Sequence, residues 1–88
     1  MQKTNRDRYF RTTSLALAIY LYVKSQQITG INHVSDSGKK EFAFLASPRL
    51  EELVDLYKFG DRSDPDLLVP VHLHERARNE LLDRLNGN

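Results

Sequence analysis

Nine consecutive residues decide the fold of this chain: Leu15-Ala16-Leu17-Ala18-Ile19-Tyr20-Leu21-Tyr22-Val23. The run contains no Gly or Pro, and Thr12-Thr13-Ser14 before it offers hydroxyl oxygens to the first-turn amides, so the pattern predicts a helix. Apolar residues occupy this helix on nearly all sides, whereas an ordinary surface helix carries one apolar stripe. We therefore expect the helix to be covered by a sheet and other helices, or by a second copy of the chain.

The same run is also informative about membranes and location. Nine residues are about half of the roughly 20 that a bilayer-spanning helix needs, so no transmembrane segment is predicted. Basic residues precede the run, but no small-residue cleavage site follows it, so we interpret it as a core helix and not a signal peptide. The chain has no cysteine, which excludes disulfides and fits a reducing cytoplasm.

Length and composition indicate one domain. The 88 residues are 40% hydrophobic and 28% charged, which is ordinary for a compact globular protein. We predict a flexible basic arm over residues 1–9 and a single α+β domain over residues 10–88. A domain of this size has little buried area to set against its chain entropy, which favours covering by a protein partner or a homo-oligomer.

Two segments after the first helix predict a β-hairpin. Residues 27–34 and 41–45 are rich in Ile, Val and Phe, and six turn-forming or polar residues separate them. Phe42 and Phe44 share one face because strand side chains alternate. We expect that face to cover the first helix.

The second half of the chain predicts two more helices. Ser47-Pro48 is typical of a helix start and Gly60 of a helix end. A short apolar run at residues 67–69 predicts a third, edge strand. From about residue 71 to 86 the spacing predicts a last helix, with an apolar stripe made by Leu73, Ala77, Leu81 and Leu85.

Together these elements predict a two-layer α+β fold with the order α-β-β-α-(short β)-α, in which an antiparallel hairpin packs on the helices.

The segment Phe10-Arg11-Thr12-Thr13-Ser14-Leu15-Ala16-Leu17-Ala18 resembles the opening of a catalogued family of small prokaryotic and phage-borne proteins whose function is unknown. Phe42-Ala43-Phe44, the Ser47-Pro48 helix and Leu67-Leu68-Val69-Pro70 also resemble that family. Two residues depart from its pattern: Ser14 stands where Asp is more usual, and Ser25 stands where the family usually closes the first helix with Gly. The resemblance covers nearly the whole chain from Phe10 onward and implies a fold, with no activity.

No catalytic, cofactor or metal site is predicted. His72-Leu73-His74-Glu75 is the nearest approach to a metal motif, but on a helix two residues of separation place the imidazoles about 200° apart. We interpret this stretch as a helix start, which leaves a hydrolase or metal enzyme using His72 and His74 as a minor alternative. The serines fall at element ends or in turns, and the four glycines are isolated, so we predict that the chain is not an enzyme.

Basic and aromatic residues supply the candidate contact residues. They are Arg6, Arg8, Tyr9 and Arg11 near the N-terminus, and Arg76, Arg78 and Arg84 in the last helix. The net charge of +1 provides no global attraction to nucleic acid, and Tyr with Arg is equally typical of protein interfaces. Our leading hypothesis is a non-enzymatic protein-interaction or self-associating accessory module. The alternative is a nucleic-acid-binding protein that uses the basic arm and the basic side of the last helix.

Overall fold

The computed structural model describes residues 8–34 and 39–86. The predicted flexible arm up to residue 7, the predicted turn at 35–38 and residues 87–88 lie outside the described residues. In order, the described secondary-structure elements are β1 (Tyr9–Thr12), α1 (Leu15–Val23), β2 (Ile28–Val34), β3 (Lys39–Leu45), α2 (Pro48–Phe59) and α3 (Val71–Leu85).

The strands form one antiparallel sheet in the order β1-β3-β2. Because β3 is antiparallel to both neighbours, β1 and β2 run parallel to each other with β3 between them. Helix α1 connects those two edge strands, which gives a split β-α-β arrangement. The predicted α+β class and the hairpin of β2 and β3 are confirmed.

The predicted position of the third strand is wrong. Residues 65–67 form a 3₁₀ turn, which starts where the carboxylate of Asp64 accepts the N–H of Asp66 at 2.9 Å. Pro65 and Pro70 lack amide donors at both ends of this stretch, so it is poorly suited to a strand ladder. The third strand is instead β1, and it takes Tyr9 from the predicted arm into the sheet.

Alternation of side chains explains why the N-terminal segment forms this strand. Phe10 lies opposite Phe44 of β3 and packs against the core, whereas Tyr9 and Arg11 are exposed on the other face of the sheet. The sheet therefore has one face covered by helices and one outer face.

Helix α1 lies in the centre of the core. The hydroxyl of Ser14 accepts the N–H of Leu17 at 3.1 Å, which confirms the predicted cap. Five consecutive residues, 17–21, are buried, so nearly the full circumference of the helix is covered. The sheet and the two other helices provide this cover within one chain, so residues 17–21 of α1 are not accessible to a partner.

Two tyrosines show that α2 and α3 pack on opposite sides of α1. The ring of Tyr20 contacts the ring of Tyr57 in α2, with centroids 5.3 Å apart. The hydroxyl of Tyr22 donates to the carboxylate of Glu80 in α3 at 2.8 Å. Two positions in a helix are about 200° apart, so these contacts lie on opposite flanks of α1.

The core confirms the predicted role of the hairpin and corrects that of α3. Phe42 and Phe44 are buried beneath the helices, as predicted. In α3, however, Leu73 is 36% exposed, and all six residues from Val71 to Arg76 are exposed. The first turns of α3 therefore extend beyond the core, which begins to bury that helix at Ala77.

Candidate interaction surface

Large apolar side chains are concentrated on the surface of one segment. Among the described residues seven such side chains are exposed, and five of them belong to residues 57–73, which we call the connector: Tyr57, Phe59, Leu68, Val71 and Leu73. The connector comprises the end of α2, an acidic loop, the 3₁₀ turn and the start of α3. A contiguous exposed apolar patch is typical of interaction sites, whereas single exposed apolar residues need no explanation.

Phe59 is the most exposed of these residues, at 82%. It lies nine positions after the buried Leu50, which on a helix is about 180° away, so it points away from the core face of α2. Phe59 was not among the contact residues predicted from the sequence. Its position opposite the apolar stripe was the signal that could have identified it.

Near the start of α3, two further apolar residues are not covered by the core: Val71 is its first residue, and Leu68 precedes that residue by three positions. Val71 is 75% exposed and Leu68 is 64% exposed. Pro70 stands at the N-cap position, where it provides no side-chain hydrogen bond to the first amides. Neither burial nor capping therefore explains the apolar residues at this end of the helix.

Tyr20 ties the connector to the core. Its hydroxyl donates to the carbonyl of Asp66 at 2.9 Å, while its ring packs against Tyr57. Burial, followed by the nearby negative charge of Asp66, raises the pKa of Tyr20 above its ordinary value. The 3₁₀ turn and the last part of α2 are thereby held beside the same side chain.

Local hydrogen bonds shape the acidic loop next to Phe59. The Asp61 carboxylate accepts hydrogen bonds from the amide of Ser63 at 2.9 Å and from its hydroxyl at 3.0 Å. These bonds lower the pKa of Asp61, so its carboxylate stays charged at neutral pH. A fixed negative charge therefore stands two residues beyond the exposed ring.

A small cavity lies on the other side of α1, between that helix and α3. Its volume is about 160 Å³, and its lining residues are Tyr22, Val23, Leu73, Arg76, Ala77 and Glu80. Val23, Leu73 and Ala77 contribute apolar surface, and Arg76 and Glu80 contribute one positive and one negative group.

The hydrogen bond from Tyr22 to Glu80 forms one wall of this cavity, and it is the main reason why the pKa of Tyr22 is raised. The Arg84 guanidinium lies 5.8 Å from the centre of the same ring. We call this space the α1–α3 cavity.

The outer face of the sheet carries a second, smaller group of exposed residues. Tyr9 and Leu45 are directly opposite each other on β1 and β3, and both are more than a third exposed. The Arg11 guanidinium lies 5.8 Å from the centre of the Tyr9 ring and 3.7 Å from the carboxylate of Glu41. This face combines an aromatic ring with a partly neutralised cation.

The fold separates the two groups of predicted contact residues. Arg8 is exposed just before β1, Tyr9 and Arg11 lie on the outer face of the sheet, and Arg6 lies outside the described residues. Arg76, Arg78 and Arg84 are on α3, in the helical layer on the opposite side of the sheet.

The charge of α3 is also balanced. It contains three basic residues and three acidic ones, Glu75, Glu80 and Asp83, so its net charge is 3 − 3 = 0 with His neutral. The helix therefore has no basic excess, and Arg76 and Arg78 point about 200° apart.

His72 and His74 are exposed in the first turn of α3, which confirms the predicted helix start. Over the part of the chain that the structure describes, no group of three or more His, Cys, Asp or Glu residues could hold a metal ion. Within the same residues, no helix is long and apolar enough to cross a membrane.

Comparisons with known proteins found no protein-family model, curated protein or solved structure that matches the chain. The resemblance described from the sequence therefore stays a prediction. The fold and the surface define a small α+β domain with two features: an apolar connector that runs from the end of α2 to the start of α3, and an open cavity between α1 and α3 to which Leu73 of the connector contributes.

Proposed function

We propose that this chain is a non-enzymatic, cytoplasmic protein-interaction module, acting as a small accessory protein or self-associating subunit. The connector is its binding surface. One observation carries the proposal: residues 57–73 hold five of the seven large exposed apolar side chains of the described residues, including Phe59 at 82% exposure. Burial by a partner would contribute up to roughly 1.5–3 kcal/mol for each of the largely exposed side chains, Phe59 and Val71, and less for the others.

The surrounding geometry supports a binding surface in preference to a loosely folded end. The Tyr20 hydroxyl holds the 3₁₀ turn through Asp66, and Asp61 organises the loop through Ser63. A surface held in place in this way loses less conformational entropy when it binds than a mobile one does.

The test is site-specific photo-crosslinking in the cells that naturally carry the gene. A photoreactive phenylalanine analogue replaces Phe59 in one variant and Leu68 in another, and both are compared with the same analogue at Asp83, an exposed polar position of α3. We expect discrete covalent adducts from both connector positions and none from the Asp83 position. The adducts are identified by mass spectrometry as copies of this chain or as another protein.

Two results would contradict the proposal. The first is the absence of a discrete adduct from either connector position. The second is an equal yield from Asp83, since that would indicate random collisions.

A second candidate function is nucleic-acid binding, and the adjacent Tyr9 and Arg11 on the outer sheet face favour it. An exposed aromatic ring beside a guanidinium can stack on a base and neutralise a phosphate. Helix α3 is not expected to take part in the same contact. Its charge is balanced, and it packs on the face of the sheet opposite to the one that carries Tyr9 and Arg11.

Fluorescence anisotropy with a labelled single-stranded oligonucleotide at low salt tests this candidate. Binding should weaken as salt increases and should fall severalfold in Arg11→Ala, while Arg78→Ala should have no effect. Undetectable or salt-insensitive binding would reject the candidate.

A further inference from the structure

We infer that Phe59 of one copy of this chain inserts into the α1–α3 cavity of a second copy. The inference rests on the proposed protein-interaction function and names its partner. Each copy then supplies one protruding ring and one cavity, at different places on the same molecule.

The cavity has room for a phenyl ring, and because it is open to solvent it would cover part of that ring. An engineered apolar cavity of about 150 Å³ in another protein binds benzene. The α1–α3 cavity measures about 160 Å³, and Val23, Leu73 and Ala77 give it apolar walls. Phe59 is the most exposed of the large apolar side chains in the described residues, so its ring is free to enter another molecule.

The charges around the ring match those around the cavity. Lys58 precedes Phe59 and Asp61 follows it by two residues, and both are exposed. The cavity lining presents the opposite pair: Arg76 would face Asp61, and Glu80, whose carboxylate also accepts the Tyr22 hydroxyl, would face Lys58. Exposed pairs of this kind contribute little affinity, but they orient the ring and disfavour other registers.

The positions of ring and cavity determine the type of assembly. Phe59 belongs to α2, which packs on the Tyr20 flank of α1, whereas the cavity opens on the Tyr22 flank. A two-fold dimer needs both halves of the contact on one face of the molecule. With the halves on opposite flanks the contact is head-to-tail, so it leads to rings or open chains and does not stop at two copies.

Analytical ultracentrifugation of the full chain tests the inference directly. Over about 10 μM to 1 mM, the weight-average mass of the wild-type chain should rise from 10.2 kDa to beyond twice that value. Phe59→Ser removes the ring, and Leu73→Lys places a charge in the cavity. Each should weaken association at least about tenfold, as loss of a central buried anchor does.

The matched control is Leu45→Lys on the outer sheet face. Leu45 is 39% exposed and Leu73 is 36% exposed, so the two substitutions remove the same side chain at similar exposure. Leu45→Lys should associate like the wild-type chain.

Mixing the two defective variants gives the decisive measurement. The Phe59→Ser chain keeps an intact cavity, and the Leu73→Lys chain keeps an intact ring. Each alone should be monomeric, whereas an equimolar mixture should form a 1:1 heterodimer of twice 10.2 kDa and nothing larger. If circular dichroism shows that Leu73→Lys is unfolded, Leu73→Ser replaces it, since it removes the apolar wall of the cavity without adding a charge.

Either of two results with single chains would overturn the inference: a wild-type chain that stays monomeric at about 1 mM, or association that is unchanged by Phe59→Ser or by Leu73→Lys. Equal loss of association in Leu45→Lys would also overturn it, as would a mixture that forms no heterodimer. A monomeric chain that still forms adducts with another protein at the connector would overturn this inference alone. Absence of both association and adducts would overturn the proposed function as well.

Discussion

Replacing Ser25 with Gly should stabilise this protein, because of how α1 ends. Ser25 follows the cap residue Lys24 with a φ of 67°, and it is the non-glycine residue with positive φ among those the structure describes. Its N–H donates to the carbonyl of Tyr22 at 3.0 Å, and the next N–H, of Gln26, donates to Leu21 at 3.0 Å. This pair of bonds is a Schellman motif, whose left-handed position is usually glycine.

The expected gain follows from two opposing contributions. A left-handed conformation costs an L-residue with a Cβ about 1–2 kcal/mol, and Ser25→Gly removes that cost. Glycine also has more conformational freedom in the unfolded chain, which lowers the stability by about 0.4–1 kcal/mol. Ser25 is exposed, so little packing is lost. The net gain should be about 0.5–1 kcal/mol, or about 2–8 °C in Tm for a domain of this size.

Thermal and urea unfolding monitored by circular dichroism provide the assay. Ser25→Ala keeps the Cβ and should change the free energy of unfolding by little, while Ser25→Asn should fall between wild type and Gly because Asn tolerates the left-handed region. The order Gly, then Asn, then Ser and Ala together is the expected result. A Ser25→Gly chain no more stable than Ser25→Ala would refute the argument.

Further predictions concern the connector and its contact with the core. Gly60→Ala should destabilise the fold by about 1–3 kcal/mol, because a Cβ there would lie 2.5 Å from the Leu56 carbonyl oxygen and 2.5 Å from Leu56 Cδ1. Gly30→Ala is its control in urea unfolding: the added Cβ meets no atom within 4 Å, so equal losses in the two variants would contradict this account. A raised pKa for Tyr20 means that the folded state favours its neutral form. The resulting contribution of Tyr20 to stability is complete below pH 10.0, the ordinary tyrosine pKa, and is lost as the pH rises through the folded-state pKa. Urea midpoints measured from about pH 8 to 11.5 should therefore fall at the alkaline end, and less steeply in Tyr20→Phe; identical slopes would show that Tyr20 is not responsible.

Much of the fold could be predicted because its signals are local. The nine-residue apolar run, the Ser14 and Ser47 caps and the alternating Phe42 and Phe44 each act within a few residues. The third strand could not be located in this way. Tyr9–Thr12 pairs with β3 residues that are 30 to 36 positions away, and such a short segment carries too little local pattern to indicate that partner.

The proposed interaction surface was harder to predict because exposure is a property of the tertiary structure. The helical spacing placed Leu73 on the same stripe as Ala77 and Leu81, but the core ends before the first turn of α3, and Leu73 becomes a wall of the cavity. The basic residues near the N-terminus and in α3 suggested one surface in the sequence. The sheet separates them, since strands alternate their side chains between two faces and α3 packs on only one.

The two tyrosines of α1 explain how a buried helix determines an exposed surface. A helix with a single apolar stripe needs cover on one side only. Tyr20 and Tyr22 instead end in hydroxyl groups on opposite flanks, where one bonds to Asp66 of the connector and the other to Glu80 beside the cavity. Because α2 covers the Tyr20 flank of α1 and α3 covers the Tyr22 flank, Phe59 at the end of α2 and the α1–α3 cavity lie on different flanks of that helix. The proposed contact between copies is head-to-tail because of this separation.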